Sequence, residues 1–541
     1  MEKATLLIKG NAIFDSISDK PKPGFVAIDG NRIIEVGEPG AEDSFIDTST
    51  KVIDAGDKLV MPGFHDSHVH LIMAGMYGLC VNLIDARSED EACEMLRDYV
   101  EKNPVDDEWI FGFSWYHFFW DNKTLPTKAS LDNYFPDRPV FLLNAEAHGA
   151  WVNSKALEIA GVTKDTPDPF GGSFERDENG EPTGFLYEAA IGSVSKYSCA
   201  FTTGQEKKYL KSFLNAAAPL GITSVNDMMP YFHGNMGNIE TYSLMDKEGE
   251  LSLRINAAPD LLGDLDEVCR QRDLYSSEKI TVNFLKQFID GVGPTHTALM
   301  LEDYSDAPGE KGIPLSDLEK IKNAILEAHK RSLSVKLHSC GDASARLALD
   351  YYENAIKMYG KNECRHTIEH LEVISPDDIP RLKELGVVPS VQPDHMALTQ
   401  TFEENPYPAA FGPERIIMSW PNKSLLDSAG VIAIGSDCPV VNNNPFLEIF
   451  RAVTRVHNDG EPKGGWHPEQ KLSMSEVLRG YTYGGAYGAR REKDLGTLEA
   501  GKFADIVIID RNLFDVADQW DIKNANVFMT IMDGKIIFEG T

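Results

Sequence analysis

The strongest constraint on the fold is an alternation that runs through the middle of the chain. Short apolar runs at Ile222–Met228, Leu253–Ala258, Val282–Ile289, Ser334–His338, Arg365–Glu369, Val387–Gln392 and Val431–Ser436 are separated by stretches of helical character. Leu315–Arg331, after an Ile-Pro start, and Ala343–Met358 are two such stretches, and Ser375-Pro376-Asp377-Asp378 is a helix-start signal. Strand and helix in turn is the pattern of a parallel α/β fold, because parallel neighbours need a long crossover. With an earlier run at Val60–Asp66 the strands number eight, which is what a (β/α)8 TIM-like barrel requires.

The two ends of the chain have a different texture. Thr5–Lys9, Phe25–Asp29, Arg32–Val36 and Val52–Asp54 read as short strands, with Asp29-Gly30-Asn31 as a hairpin turn. Ala504–Ile509, Val527–Met532 and Lys535–Glu539 repeat that texture at the other end. The expected organisation is a composite β-sandwich domain from residues 1–58 plus 495–541 and a barrel from 59–84 plus 206–494. The interval between the first two barrel strands far exceeds one crossover helix, so residues 85–205 are expected to be an inserted subdomain over the barrel's mouth. That insertion contains WIFGFSWYHFFW (Trp109–Trp120), whose aromatics serve as its own core, as a wall for an apolar substrate, or as both.

Composition removes several classes of function. The formal net charge of −32 argues against polyanionic partners such as DNA or RNA. No apolar run approaches membrane-spanning length, and the opening MEKATLLIKGNAIFD lacks the apolar stretch of a signal peptide. Seven scattered cysteines without a C-x-x-C pair suit free thiols in a reducing compartment, so a cytoplasmic location is expected.

Metal-competent side chains recur where the predicted strands end. PGFHDSHVHL places His68 and His70 two residues apart, on one face of an extended strand. Lys286 sits inside the apolar run VNFLKQFIDG, a costly place for an ammonium group without a partner or a modification. SVKLHSCGD supplies His338 and Asp342, RHTIEH supplies His370, and AIGSDCP supplies Asp437. A barrel builds its active site at this face, from the ends of several strands.

On these segments the chain resembles the amidohydrolase superfamily, in its YtcJ-like, N-substituted formamide deformylase-like branch. PGFHDSHVHL, NAEAHGAWVNSKAL, LKQFIDG, HSCGDASA, IEHLEVI, AIGSDCPV and LGTLEAGKFADIVIID carry the likeness over nearly the whole length. The resemblance implies a metal-dependent barrel with His68, His70, His338, His370 and Asp437 as the metal set. Lys286 matches by position the lysine that members with two metals carboxylate as a bridge. It also implies substrate contact by Trp115, His148 and Asn153, and leaves a homodimer open. His65 departs from the family pattern, since that position is usually apolar.

Imidazole and carboxylate ligands suit zinc, with manganese or iron as alternatives, as one or two ions. Asp437 is the expected general base, taking a proton from water and passing it to the leaving nitrogen. Asp66 and Asp342 are expected behind the ligands, fixing histidine orientation. The expected activity is hydrolysis of amide or formamide-like C–N bonds in a small molecule, with cyclic amidine deamination as the alternative on the same fold. A barrel relative that kept the scaffold without catalysis is a further alternative. His366-Thr367-Ile368-Glu369-His370 also spells H-x-x-E-H, a zinc-peptidase signature when helical. On a strand its two histidines lie about 13 Å apart and cannot share an ion.

Overall fold

A computed structural model describes residues 3–104, 109–145, 147–231 and 234–540. Glu146, within the NAEAHGAWVNSKAL segment, lies outside the described residues.

Strands from both ends of the chain form one sheet. Leu6–Ile13, Lys22–Asp29, Arg32–Gly37, Lys51–Asp54 and Leu59–Pro62 come from the first end, and Ile506–Ile509, Val527–Met532 and Lys535–Glu539 from the second. Ile506–Ile509 joins the two sets by pairing antiparallel with Leu59–Pro62. The expected hairpin forms, with Asp29 opposite Arg32 and Gly30 at a φ of 56°. Leu6, Ile8, Val26, Ile28, Ile506 and Ile508, spaced by two along their strands, supply the buried face.

The parallel strands are β1 (Phe64–Val69), β2 (Ile222–Met228), β3 (Arg254–Ala258), β4 (Phe284–Phe288), β5 (Ser334–Ser339), β6 (Thr367–His370), β7 (Val388–Val391) and β8 (Ala433–Ile434). β1, β2 and β3 pair in sequence, and β3 continues to Ile280–Thr281, just ahead of β4. β4 to β8 form a second parallel sheet, again in sequence. Isolated parallel bridges link the edges of the two sheets, Asp260 with Lys286 and Val69 with Cys438. Buried on both faces, such strands read as nearly continuous apolar runs, which is why the sequence exposes them.

One expected strand is really two. The chain breaks the Val60–Asp66 run at Gly63, with Leu59–Pro62 in the terminal sheet and Phe64–Val69 beside β2. A Cβ at Gly63 would come within 2.3 Å of Thr223 Oγ1, so only glycine fits where the chain changes sheets. The helix Leu318–Lys330 buries Ile321, Ile325 and Ala328 on one face and is capped by the Asp317 carboxylate, which accepts from the Glu319 and Lys320 N–H groups.

Residues 71–213 and 229–241 make a separate compact unit. Its sheet runs in the order Gly172–Arg176, Pro182–Glu188, Gly149–Val152, Val140–Asn144, Ile110–Trp115, Val81–Asn82. Trp115, Trp120, Trp151 and Phe185 form its core, while Phe118 and Phe119 are exposed.

Candidate metal centre

The site begins with β1, which is buried along its whole length. Asp66 accepts the backbone N–H of His68 at 3.1 Å and, from the segment after β8, the N–H and hydroxyl of Ser436 at 2.9 and 2.6 Å. Asp66 therefore ties β1 to the end of β8 through the backbone of His68 rather than through its ring. The two segments approach so closely that a Cβ on Gly435 would sit 2.4 Å from the His68 nitrogen. On the opposite face of β1, His65 Nε2 meets Asn226 Oδ1 of β2 at 3.0 Å, and burial pushes its pKa down to about 3.

His68 Nδ1–H donates to Glu369 Oε2 at 2.7 Å. Glu369 is fully buried, and its other oxygen lies 3.5 Å from Lys336 Nζ and accepts the Thr367 hydroxyl. Burial alone would raise the Glu369 pKa, but Lys336 and His68 hold it well below the usual range. This bond fixes the His68 tautomer, so Nε2 is the nitrogen left to accept.

Neighbouring residues of a strand point to opposite faces, yet Glu369 and His370 both reach His68. The chain achieves this by leaving the extended region at His370, with a φ of 76°, and at Leu371, with 51°. The His370 ring then lies 4.8 Å from that of His68 and 4.3 Å from that of His338. Asp437 also has a positive φ, 62°. Such backbone costs about 1–3 kcal/mol per residue and concentrates at functional sites.

Asp437 is the common neighbour. Its Oδ1 lies 3.4 Å from His68 Nε2 and 3.3 Å from His70 Nε2, and its Oδ2 lies 4.0 Å from His370 Nδ1 and 3.6 Å from His395 Nε2. Burial would raise the Asp437 pKa, but the imidazoles of His68, His370 and His70 hold it far down. His338 Nε2 faces the Gly291 carbonyl at 3.2 Å and Cys340 Sγ at 3.4 Å. Lys286 is fully buried, its Nζ lies 4.6 Å from the Phe288 ring centre, and burial lowers its pKa to about 8.

Several of these polar atoms have no hydrogen-bond partner among the described residues: Lys286 Nζ, His370 Nδ1, His395 Nε2 and Asp437 Oδ1. An unpaired buried polar atom costs about 1–3 kcal/mol, so a cluster of them needs a ligand. Ligand atoms of His68, His70 and Asp437 lie within 4.8 Å of one another, and so do those of His370, His395 and Asp437. Imidazole nitrogens and a carboxylate fit a divalent cation such as zinc.

Other candidates are engaged elsewhere. Asp342 accepts the Leu301 N–H at 2.8 Å. Trp115 is wholly buried in the inserted unit, where its Nε1–H donates to the Leu142 carbonyl at 3.1 Å. Asn153 caps the helix Ser154–Ala160, accepting from the Ala156 and Val140 N–H groups and donating to the carbonyls of Phe135 and Arg138. His148 Nδ1 pairs with Glu188 at 2.7 Å. The H-x-x-E-H run forms no helical pair, since Thr367–His370 is strand. His366 accepts the Val335 N–H at Nδ1, and its Nε2–H donates to His329 Nδ1 at 3.0 Å. His329 Nε2–H in turn donates to the Gly360 carbonyl at 2.9 Å, so both rings are satisfied where they stand, although with Cys364 they form a third metal-competent group.

Sequence reasoning missed His395, which lies in VQPDHMAL just past β7. Its signal was the same as for the other ligands, a histidine following a strand end, but it lies three positions past Gln392, the last residue of the predicted strand. It also overlooked Glu369 as the carboxylate that orients His68.

The amidohydrolase family model Amidohydro_3 matches residues 51–538. The chain belongs to the amidohydrolase family. Among its relatives, Protein LONG AFTER FAR-RED 3 of Arabidopsis thaliana is 33% identical over 99% of this chain and 92% of its own length. The putative amidohydrolase YtcJ of Bacillus subtilis is 28% identical over 91% of each. The N-substituted formamide deformylase of Arthrobacter pascens is 25% identical over 95% of each. Among solved structures, an uncharacterised metal-dependent hydrolase from Pyrococcus horikoshii superposes with a TM-score of 0.78 at 26% identity, over 94% of this chain and 98% of that one. As a member of this family the chain is an amidohydrolase, an enzyme of the metal-dependent hydrolase class. Among the described residues no helix is long and apolar enough to cross a membrane.

Proposed function

We propose that this amidohydrolase hydrolyses the C–N bond of a small amide or formamide-like molecule, with a divalent metal held by His68, His70, Lys286, His338, His370 and Asp437. The observation that carries this reading is the convergence of the ends of β1 and β6 on Asp437, which follows β8, with polar atoms left unpaired in a buried setting among the described residues. The likeness to a formamide deformylase over nearly the full length supports the choice of bond. We further read the two parallel sheets as one closed (β/α)8 barrel. The chain ends, 1–58 plus 495–541, would be a composite β-sandwich domain, and 85–205 an inserted domain.

A bound zinc ion supplies Lewis acidity, polarising a carbonyl and lowering the pKa of water to about 7. The residues of the chain do the rest. Glu369, through its bond to His68, holds the imidazole with Nε2 presented to the ion. Asp437, kept ionised by the surrounding imidazoles, takes the proton from the attacking water. The same carboxyl, now protonated, gives that proton to the nitrogen as the C–N bond breaks.

The test is a panel of N-formyl and N-acyl amines beside cyclic amidines, assayed with the metal-loaded protein. Release of amine with carboxylate supports the reading; release of ammonia from amidines, with amides untouched, moves the activity to deamination. Loss of turnover in a chelator, restored by zinc, is required in either case.

A further inference from the structure

His395 stands outside the proposed metal set, although it too follows a strand end and faces the same carboxylate. The turn that carries it, Pro393–Ala397, is short and buried, and it is fixed from two sides. Asp394 N–H donates to Glu448 Oε2 at 2.8 Å, and the Asp394 carboxylate accepts Arg451 Nε–H at 2.9 Å. Both partners stand on the helix Pro445–Thr454, which follows β8 and Asp437 in the chain. The helix that tracks β8 therefore also sets where His395 lies.

The position so fixed is a specific one. His395 Nε2 is 3.6 Å from Asp437 Oδ2, and among the described residues no hydrogen-bond partner meets it. The His370 ring lies 5.8 Å away and nearly parallel, at 18°, with its own Nδ1 unpaired. The two oxygens of Asp437 thus face different imidazole pairs, Oδ1 toward His68 and His70, Oδ2 toward His370 and His395. On the Oδ2 side neither imidazole is within hydrogen-bonding reach of the carboxylate, at 4.0 Å for His370 Nδ1 and 3.6 Å for His395 Nε2. A cation bound to the carboxylate would satisfy both nitrogens together, which is the need seen on the Oδ2 side.

Resting on the proposed metal-dependent hydrolysis, we propose that His395 is a metal ligand through Nε2, sharing with His370 and Asp437 Oδ2 a position that the strand-end set alone does not complete. Nothing else in the site changes its role. His68 and His70 keep the Oδ1 side, and Asp437 keeps its part in proton transfer.

The full-length protein, loaded with zinc and crystallised, tests this by anomalous difference maps at the zinc edge. The expected result is zinc about 2.0–2.1 Å from His395 Nε2. In His395→Ala that zinc is lost or reduced in occupancy, while any zinc held by His68 and His70 stays. Should the alanine variant fail to fold, His395→Gln keeps the bulk of the side chain and must show the same loss. Zinc at His68 and His70 with His395 turned to water, or unchanged occupancy in the folded variants, overturns the assignment and leaves the proposed hydrolysis standing. A protein that takes up no zinc anywhere in the site overturns both.

Discussion

Replacing Glu369 by glutamine removes a buried charge and leaves the shape of the site alone. The carboxylate is fully buried, takes the His68 ring N–H at 2.7 Å and lies 3.5 Å from the ammonium of Lys336. Two costs follow. The amide is a weaker acceptor, so His68 becomes a less basic ligand; losing such an outer partner lowers metal affinity about 10–100-fold, or about 1.4–2.8 kcal/mol. Lys336 meanwhile stands in a buried place with no counter-charge, and breaking a buried pair from one side costs about 3–5 kcal/mol of stability. The costs separate with a second variant. Lys336→Met removes the stranded ammonium, so Glu369→Gln with Lys336→Met regains much of the stability but none of the metal affinity. Competition with a chromophoric chelator measures affinity, and a urea midpoint measures stability. If folded Glu369→Gln holds zinc within about twofold of the parent, the orienting role of this carboxylate is refuted.

Asp437→Asn keeps an oxygen toward the metal and removes the base, so turnover falls about 10²–10⁴-fold with metal content retained, read by steady-state rates beside elemental analysis. Gly435→Ala pushes a Cβ against the His68 nitrogen, and the overpacking costs about 1–3 kcal/mol and weakens zinc binding, checked by denaturation and chelator competition. His366 is held neutral by burial, with its pKa pushed down to about 3, whereas an unfolded histidine titrates near 6.5. Its contribution to stability is complete above about pH 6.5 and is lost as pH falls toward 3, at up to about 1.4 kcal/mol per pH unit. Between pH 7 and pH 5 the parent therefore loses more in melting temperature than His366→Gln does, and parallel profiles would contradict this.

Parallel strands were legible where burial on both faces writes them as apolar runs, as at Val431–Gly435, and elsewhere from their alternation with helical stretches. The same signal misled at Val60–Asp66, where the apolar run passes from one sheet to another and only Gly63 marks the change. His68, His70, His370 and Asp437 were legible as polar residues in the one place a strand cannot hide them, its end. Glu369 was not, because a strand predicts opposite faces for residues 369 and 370, and the turn at His370 that brings both to His68 depends on backbone angles. Asp66 was expected behind a ring and instead accepts a backbone N–H, a distinction that residue type does not encode. Asn153 shows the same limit, since its side chain is spent on a helix start and on three other backbone groups.

The account depends on distant segments of the chain gripping one cation, and the metal content of the purified protein tests that most directly. Elemental analysis by mass spectrometry is expected to find at least one equivalent of a divalent metal, removed by a chelator together with activity and absent from a folded His68→Ala, His70→Ala double variant. A metal-free protein with full hydrolytic activity, or a double variant that keeps the parent's metal, would contradict it.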